Sequence, residues 1–415
     1  MKYLTVIGDG MADMPVAELG GKTPLEALAL PGMAVLAGGE VGRVRTCPTG
    51  LPPGSDVAFL SIFGNDPMAG YTGRSPLEAA GCGVTLRRGD VSFRMNLVAV
   101  SGDGYSQARM LSHNGGGIPG EEAFALVTAL MRDAAFAAML RDIGITITPS
   151  CSFRHIAVMS AMDNGADTIH DNLRFELAAP HDIVGEPIAE YLPKGRRQEN
   201  LRALTSRAYE VLSNHPINLA RMNNGEMPAN AIWLWGDGTL AELADFRAQF
   251  GHGGAVVSAV PLVKGIARLS GLNAPDLPGA TGLLDTDYEG KLNCALSALD
   301  NGADFAAIHV EAPDELSHDG DLQGKLEAIR RLDARIIMPL IERMPNIDRD
   351  FRVMLLPDHY TLLKTRTHDG TPVPYCVYDS RVHGESRPFT ERLAQGYPVI
   401  EAGYTLMSRL FVGET

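Results

Sequence analysis

The 415 residues are too many for one ordinary hydrophobic core and imply two or three domains. With 45% hydrophobic and 21% charged residues, the composition is that of a folded globular protein and excludes a disordered chain. A net charge of −14 excludes nucleic acid as a partner, because phosphate backbones are bound through an excess of Lys and Arg.

The chain opens on a strand pattern, the apolar run Tyr3–Ile7, without the long apolar region and cleavage site of a signal peptide. No run of 18 apolar residues follows, so no membrane span is expected. Cys47, Cys82, Cys151, Cys294 and Cys376 are odd in number and form no CxxC pair, a pattern of a reducing compartment. These readings predict a cytoplasmic protein that works on small molecules, and they leave a homo-oligomer open.

Next come a strand over Val41–Thr46 and a helix over Asp56–Phe63. Val91–Val100 alternates Phe93, Met95 and Leu97, and a Gly-rich stretch Ser112–Gly120 precedes a helical pattern over Glu121–Leu140. Strand-like runs Ile143–Pro149 and Arg154–Ser160 complete an α+β segment. Late in the chain, Phe305–Val310 and Phe351–Leu356 are again short and wholly apolar, as in buried parallel strands. Helical spacing marks Lys291–Asn301 and Leu322–Arg343. The prediction is a doubly wound α/β core, residues 1–90 with 256–415, carrying an inserted α+β cap at 91–255.

Each of the three buried runs is followed by acidic residues: Asp9, then Glu311 and Asp314, then Asp358. Ligands of open α/β sheets gather at the carboxyl ends of strands, so the repetition points to a site. Asp314 and His318 are four apart, and one helical turn brings both side chains to one metal. Asp358-His359 offers adjacent oxygen and nitrogen donors, and His368 lies in a loop stiffened by Pro372 and Pro374. In Pro52-Pro53-Gly54-Ser55, a stiff turn places Ser55 at the start of a helix, where a phosphate ester meets free backbone N–H groups. Mixed carboxylate and imidazole donors suit zinc or manganese, or magnesium with more water retained. Two such ions clamp the attacking and leaving oxygens of an in-line displacement, with Ser55 as nucleophile.

The motifs Gly8-Asp9-Gly10-Met11-Ala12-Asp13, Gly21-Lys22-Thr23-Pro24-Leu25-Glu26, Pro53-Gly54-Ser55-Asp56 and Tyr71-Thr72-Gly73-Arg74, with the three late segments, resemble the archaeal-type cofactor-independent phosphoglycerate mutases of the alkaline phosphatase superfamily. The resemblance spans nearly the whole chain. It implies that Asp9, Ser55, Asp358 and His359 hold one divalent metal, that Asp314, His318 and His368 hold the other, and that Ser55 becomes phosphorylated.

Asn214–Arg221, Pro228–Gly236 and Val377–Ser380 look like a bacterial subgroup proposed to act as homoserine kinase, and Trp235 stands where an Arg is expected in archaeal mutases. The reading preferred on that basis is a homoserine kinase, with ATP as phosphoryl donor and Ser55 as relay. The alternative is phosphoglycerate mutase by the same relay, and a third is an inactive metal-binding scaffold. Gly21-Lys22-Thr23 is not a P-loop, since Val16 occupies the position of its first glycine. Arg154, His155, His181 and Lys264 are the candidate substrate contacts, because phosphate or carboxylate needs a positive partner.

Overall fold

The structure is a computed structural model that describes residues 1–102, 104–150, 152–161, 175–195, 197–382 and 384–412; Cys151 lies outside them. The chain divides into two compact units, Met1–Tyr71 with Ala80–Cys82 and Glu242–Thr415, and Thr72–Ala79 with Gly83–Ala241. The strands used below are β1 (Lys2–Gly8), β2 (Glu40–Val44), β3 (Val91–Val100), β4 (Met110–Ser112), β5 (Ile145–Thr148) and β6 (Arg154–Met159). They continue with β7 (Ala231–Thr239), β8 (Gly254–Val257), β9 (Phe305–Val310), β10 (Phe351–Leu356), β11 (Val373–Asp379) and β12 (Val399–Ile400).

The first unit is built on a seven-stranded sheet ordered β8-β9-β1-β10-β11-β2-β12. The β8, β9, β1 and β10 strands run parallel, while β11 is antiparallel to both its neighbours. The parallel strands read as unbroken apolar runs because both of their faces are covered. Leu4, Val6, Ile308, Val310, Val353 and Leu355 enter one core with Met33, Leu292, Ile329 and Ile337. On the other face, Tyr3 packs edge-on to Phe411 and Phe305 stacks on Phe246. That stacking accounts for residues 242–255, expected in the cap: Phe246 opens a helix capped by Asp245 and seals the core sheet.

The predicted helix Leu322–Arg343 is three segments. Leu322–Leu332 passes into a π-helical turn, Asp333–Ile337, before Met338–Arg343. The Asp333 carboxylate accepts the N–H groups of Gly32 and Met33, capping the helix Pro31–Leu36.

The second unit holds a five-stranded sheet in which β3 pairs antiparallel with β6 and β4 along one side and with β7 along the other, and β5 pairs with β6. Phe93, Met95 and Leu97 pack with Ile232 and Leu234 against Leu126, Val127, Phe136, Leu201 and Leu204. The expected helix Glu121–Leu140 breaks at Asp133, which ends Gly120–Arg132 and caps Ala134–Ile143 through the N–H of Phe136. Residues 72–79 join this unit because Ala79 packs with Leu86, Ile156 and Val158, and Ser75 donates to the carbonyl of Ser92. Among the described residues no single helix is long and apolar enough to cross a membrane; the broken pair around Asp133 passes only as a whole, bent by 79°.

Candidate metal centre

Parallel pairing sets the four carboxyl ends side by side. Ile7 is level with His309 and Leu356, and Val257 with Ile308. The residues that leave the sheet there are Ser258, Asp9 and, two and three beyond β10, Asp358 and His359, while His309 is the penultimate residue of β9. The helix Ala312–Asp319 starts one residue after β9 and turns Asp314 and His318 toward each other, 3.3 Å apart.

Asp9, Asp358 and His359 offer donor atoms within 4.8 Å of one another, and so do Asp314, His318 and His368. In the first cluster each carboxylate is tethered at one oxygen. Asp358 Oδ1 accepts the N–H groups of Gly10 and His359 at 3.1 and 2.9 Å, and Asp9 Oδ2 faces His309 Nε2 at 2.9 Å. The remaining oxygens, Asp9 Oδ1 and Asp358 Oδ2, are buried without a hydrogen bond. Such a bare buried acceptor costs ~1–3 kcal/mol. Burial first, and then the charges of Asp358 and Asp314, push the Asp9 carboxyl well above the usual range. Ser55, the first residue of the helix Ser55–Ile62, places its Oγ 3.2 Å from His359 Nε2.

The three imidazoles have fixed tautomers. His318 Nδ1 faces the carbonyl of Arg366 at 2.8 Å and His368 Nδ1 that of Pro53 at 3.3 Å, and a carbonyl can only accept. Thr361 Oγ1 donates its one hydrogen to Asp314 Oδ1 at 2.6 Å, so His359 Nδ1, 3.1 Å away, must donate to it. Every Nδ1 carries a hydrogen to the outside and every Nε2 turns a lone pair inward, the arrangement of ligating histidines. His318 Nε2 and His368 Nε2 are 2.9 Å apart, and Asp314 lies 3.3 and 3.4 Å from them. Lone pairs at that distance need a cation or a proton between them. The hydrogen bond to Asp314 raises His318 to about 9, so a proton can serve. The donor set fits a divalent cation in each cluster. The His359 and His368 rings, 3.9 Å apart by centroid, make the clusters neighbours.

The second unit has a charged cluster of its own. Glu78 accepts from Arg74 and Arg94 at 3.0 and 2.9 Å. Burial acts to raise the Glu78 carboxyl, but the charges of Arg94, Arg74 and Arg154 overcome it and hold it at about 2. The Arg94 guanidinium lies 4.0 Å over the Trp235 ring, whose Nε1 donates to Asn96 Oδ1 at 3.0 Å. His181 packs edge-on to Trp235 at 5.2 Å and His113 to His181 at 6.2 Å.

Of the four candidate substrate contacts, Arg154 and His181 join this cluster, while His155 and Lys264 do not. His155 is fully buried with Nδ1 accepting the Ser150 N–H, and Lys264 is ion-paired with Asp276 in the first unit. Glu78, His113, His309, Ser258 and Thr361, which the sequence did not single out, also belong to these clusters. Only His309 carried a signal, a lone imidazole within an otherwise apolar strand.

A serine hydroxyl beside two adjoining carboxylate–imidazole clusters, at the carboxyl ends of a parallel sheet, is a layout suited to metal-dependent phosphoryl transfer. A family profile described as 2,3-bisphosphoglycerate-independent phosphoglycerate mutase matches residues 37–218. The protein of that name from Methanosarcina acetivorans is 42% identical over 379 residues, 91% of this chain and 90% of its own. That from Methanothrix thermoacetophila is 40% identical over the full length of both chains. The chain belongs to the 2,3-bisphosphoglycerate-independent phosphoglycerate mutase family. The PH0037 protein from Pyrococcus horikoshii has the same fold, with TM-score 0.78 and 27% identity over 100% of this chain and 98% of that one. The cofactor-independent phosphoglycerate mutase from Thermoplasma acidophilum follows it with TM-score 0.60 at 24% identity, each chain covered to 99%. None of these relatives is named for homoserine or for ATP.

Proposed function

We propose that this chain is a phosphoglycerate mutase that interconverts 3- and 2-phosphoglycerate through a phosphoserine at Ser55. The carrying observation is the convergence of three inward Nε2 atoms and two bare carboxylate oxygens beside the Ser55 hydroxyl. Asp9, Asp358 and His359 would hold one divalent cation with Ser55, and Asp314, His318 and His368 the other. Bound there, the cations supply neutralisation of phosphoryl oxygens and a lowered proton affinity for the attacking hydroxyl.

The residues perform two half-reactions. Ser55 Oγ forms a bond to phosphorus as the bond from phosphorus to the glycerate oxygen breaks, and the released alkoxide takes up a proton. The other glycerate hydroxyl, giving up its proton, then forms a bond to phosphorus as the bond from phosphorus to Ser55 Oγ breaks, and Ser55 takes a proton back, so no nucleotide substrate is needed. The turn before Ser55 and the helix behind it present backbone N–H groups to the ester. In the second unit, three arginines face one glutamate, a net charge of +2 suited to an anionic carboxylate or phosphate.

The homoserine kinase reading rested on subgroup segments and on Trp235. The ring of Trp235 supports the cation Arg94, so that position does not argue against a phosphoglycerate. Two matched assays with Mn²⁺ decide: 3-phosphoglycerate in one, ATP with homoserine in the other. Conversion of the first, with phosphate on Ser55 after acid quench, is the expected result. O-phosphohomoserine formation without mutase turnover would overturn it.

A further inference from the structure

We infer that Ser258 and His309 form a positioning pair that fixes Asp9 as a one-oxygen ligand and thereby sets the affinity of the cation site beside Ser55. The inference rests on the reading of Asp9, Asp358 and His359 as that site.

The pairing of β8 with β9 and of β9 with β1 sets the three residues in a row across neighbouring strand ends. Val260 N–H donates to Ser258 Oγ at 3.0 Å, Ser258 Oγ lies 2.9 Å from His309 Nδ1, and His309 Nε2 lies 2.9 Å from Asp9 Oδ2. The ionised Asp9 carboxylate, the form that binds a cation, only accepts, so the imidazole hydrogen then sits on Nε2 and Nδ1 takes the serine hydroxyl. The chain of donors then runs one way, from the Val260 amide to the carboxylate, with every polar atom used. The His309 ring cannot turn away, being fully buried and set edge-on to Phe59 at 5.0 Å.

The consequence falls on Asp9. Its Oδ2 is occupied, so only Oδ1, the oxygen without a partner, can reach a cation. Asp358 is confined to one free oxygen by two backbone N–H groups, which no substitution of a side chain can remove. Asp9 depends on a side chain instead, and that chain continues to Ser258, just past the end of β8. Partners of this kind change metal affinity by about 10–100-fold when removed from other metal sites.

The test is calorimetric titration of Mn²⁺ into metal-stripped full-length protein, with thermal unfolding of the stripped form recorded alongside. Native protein is expected to bind two equivalents. His309→Leu should weaken one equivalent by ~10–100-fold and the other far less. Ser258→Ala should weaken that same equivalent several-fold, and Ser258→Thr, which keeps the hydroxyl, should restore it. A merely structural role would lower the unfolding temperature without this selectivity. If His309→Leu does not fold, Ser258→Ala against Ser258→Thr decides alone. Two native-like equivalents in the folded variants would overturn the positioning pair while leaving the metal reading intact. Native protein that binds no Mn²⁺ would overturn both.

Discussion

The two donor clusters share a sheet edge and differ in what can satisfy them. Around Asp314, the carboxylate already receives the Thr361 hydroxyl, and one proton on His318 Nε2, which faces both Asp314 and His368 Nε2, completes the set. Around Asp9 and Asp358, two buried oxygens point inward without a hydrogen bond, and the nearest imidazole atom, His359 Nε2 at 3.1 Å from Asp358 Oδ2, turns a lone pair toward them. The first arrangement is content with a proton, and the second asks for a cation. Burial separates them too: the His318 and His368 side chains are 35% and 21% exposed, whereas His359 is 1%. Solvent can therefore enter one cluster and not the other. Two carboxylates buried side by side at this depth are a source of instability unless a cation or a proton compensates them.

The largest expected effect uses Ser55, which belongs with the bare cluster. Ser55→Ala should lower turnover by at least ~10⁴-fold, as removal of a covalent nucleophile does elsewhere. Its unfolding temperature should stay near native, since the N-cap of that helix is Gly54 and the Ser55 side chain is not the cap. Retained turnover in a steady-state assay would show direct transfer between substrates.

Asp358→Asn sharpens the contrast further. The amide oxygen keeps the Gly10 and His359 N–H bonds, and its NH₂ replaces the bare Oδ2 and can donate toward Asp9. Metal-stripped Asp358→Asn should gain about 1–3 kcal/mol by denaturant unfolding, the cost of a bare acceptor relieved, while losing one Mn²⁺ equivalent. His318→Ala should lose the other equivalent without gaining stability. Equal stability changes in the two variants would break the comparison.

A third test lies away from the ligands. Burial raises Glu391 to about 7, although it accepts hydrogen bonds from Thr23 Oγ1 and the Asp13 N–H. The folded form holds its proton after the unfolded chain, near 4.3, has released it, so stability declines as pH rises from about 4 to about 7. Glu391→Gln should flatten that decline and leave the variant more stable at pH 8 by roughly 3–4 kcal/mol. Parallel stability curves from pH 4 to 8 would remove this account. Smallest is Asp133→Ala in the second unit, which loses the cap on Phe136 N–H and should cost ~1 kcal/mol without altering Mn²⁺ stoichiometry.

Legibility in the sequence followed burial and local order. The parallel strands were readable because covering both faces leaves an unbroken apolar run, and the ligands because each follows such a run within a few residues. The break at Asp133 was hidden, since helical spacing continues through it and only the cap geometry marks the end. The π-turn at Asp333 was hidden for the same reason. Arg74, Glu78, Arg94 and Arg154 are scattered over 81 positions and meet only through antiparallel pairing of β3 with β6 and the hydrogen bonds of Glu78. No spacing rule announces such a cluster. Lys264 had the right charge, but a carboxylate twelve residues on claims it.

The Thr361 hydroxyl has one hydrogen and two duties. It gives the hydrogen to Asp314 and takes one from His359, so a single oxygen stands with a foot in each cluster. A cation that draws Asp314 inward must also shift this hydroxyl, and with it the ring that faces Ser55. Filling one site then alters the readiness of the next, and the pair should load cooperatively. Thr361→Val would cut that link and let each ion bind as though the other were not there, a difference visible as the loss of curvature coupling in a two-site Mn²⁺ titration.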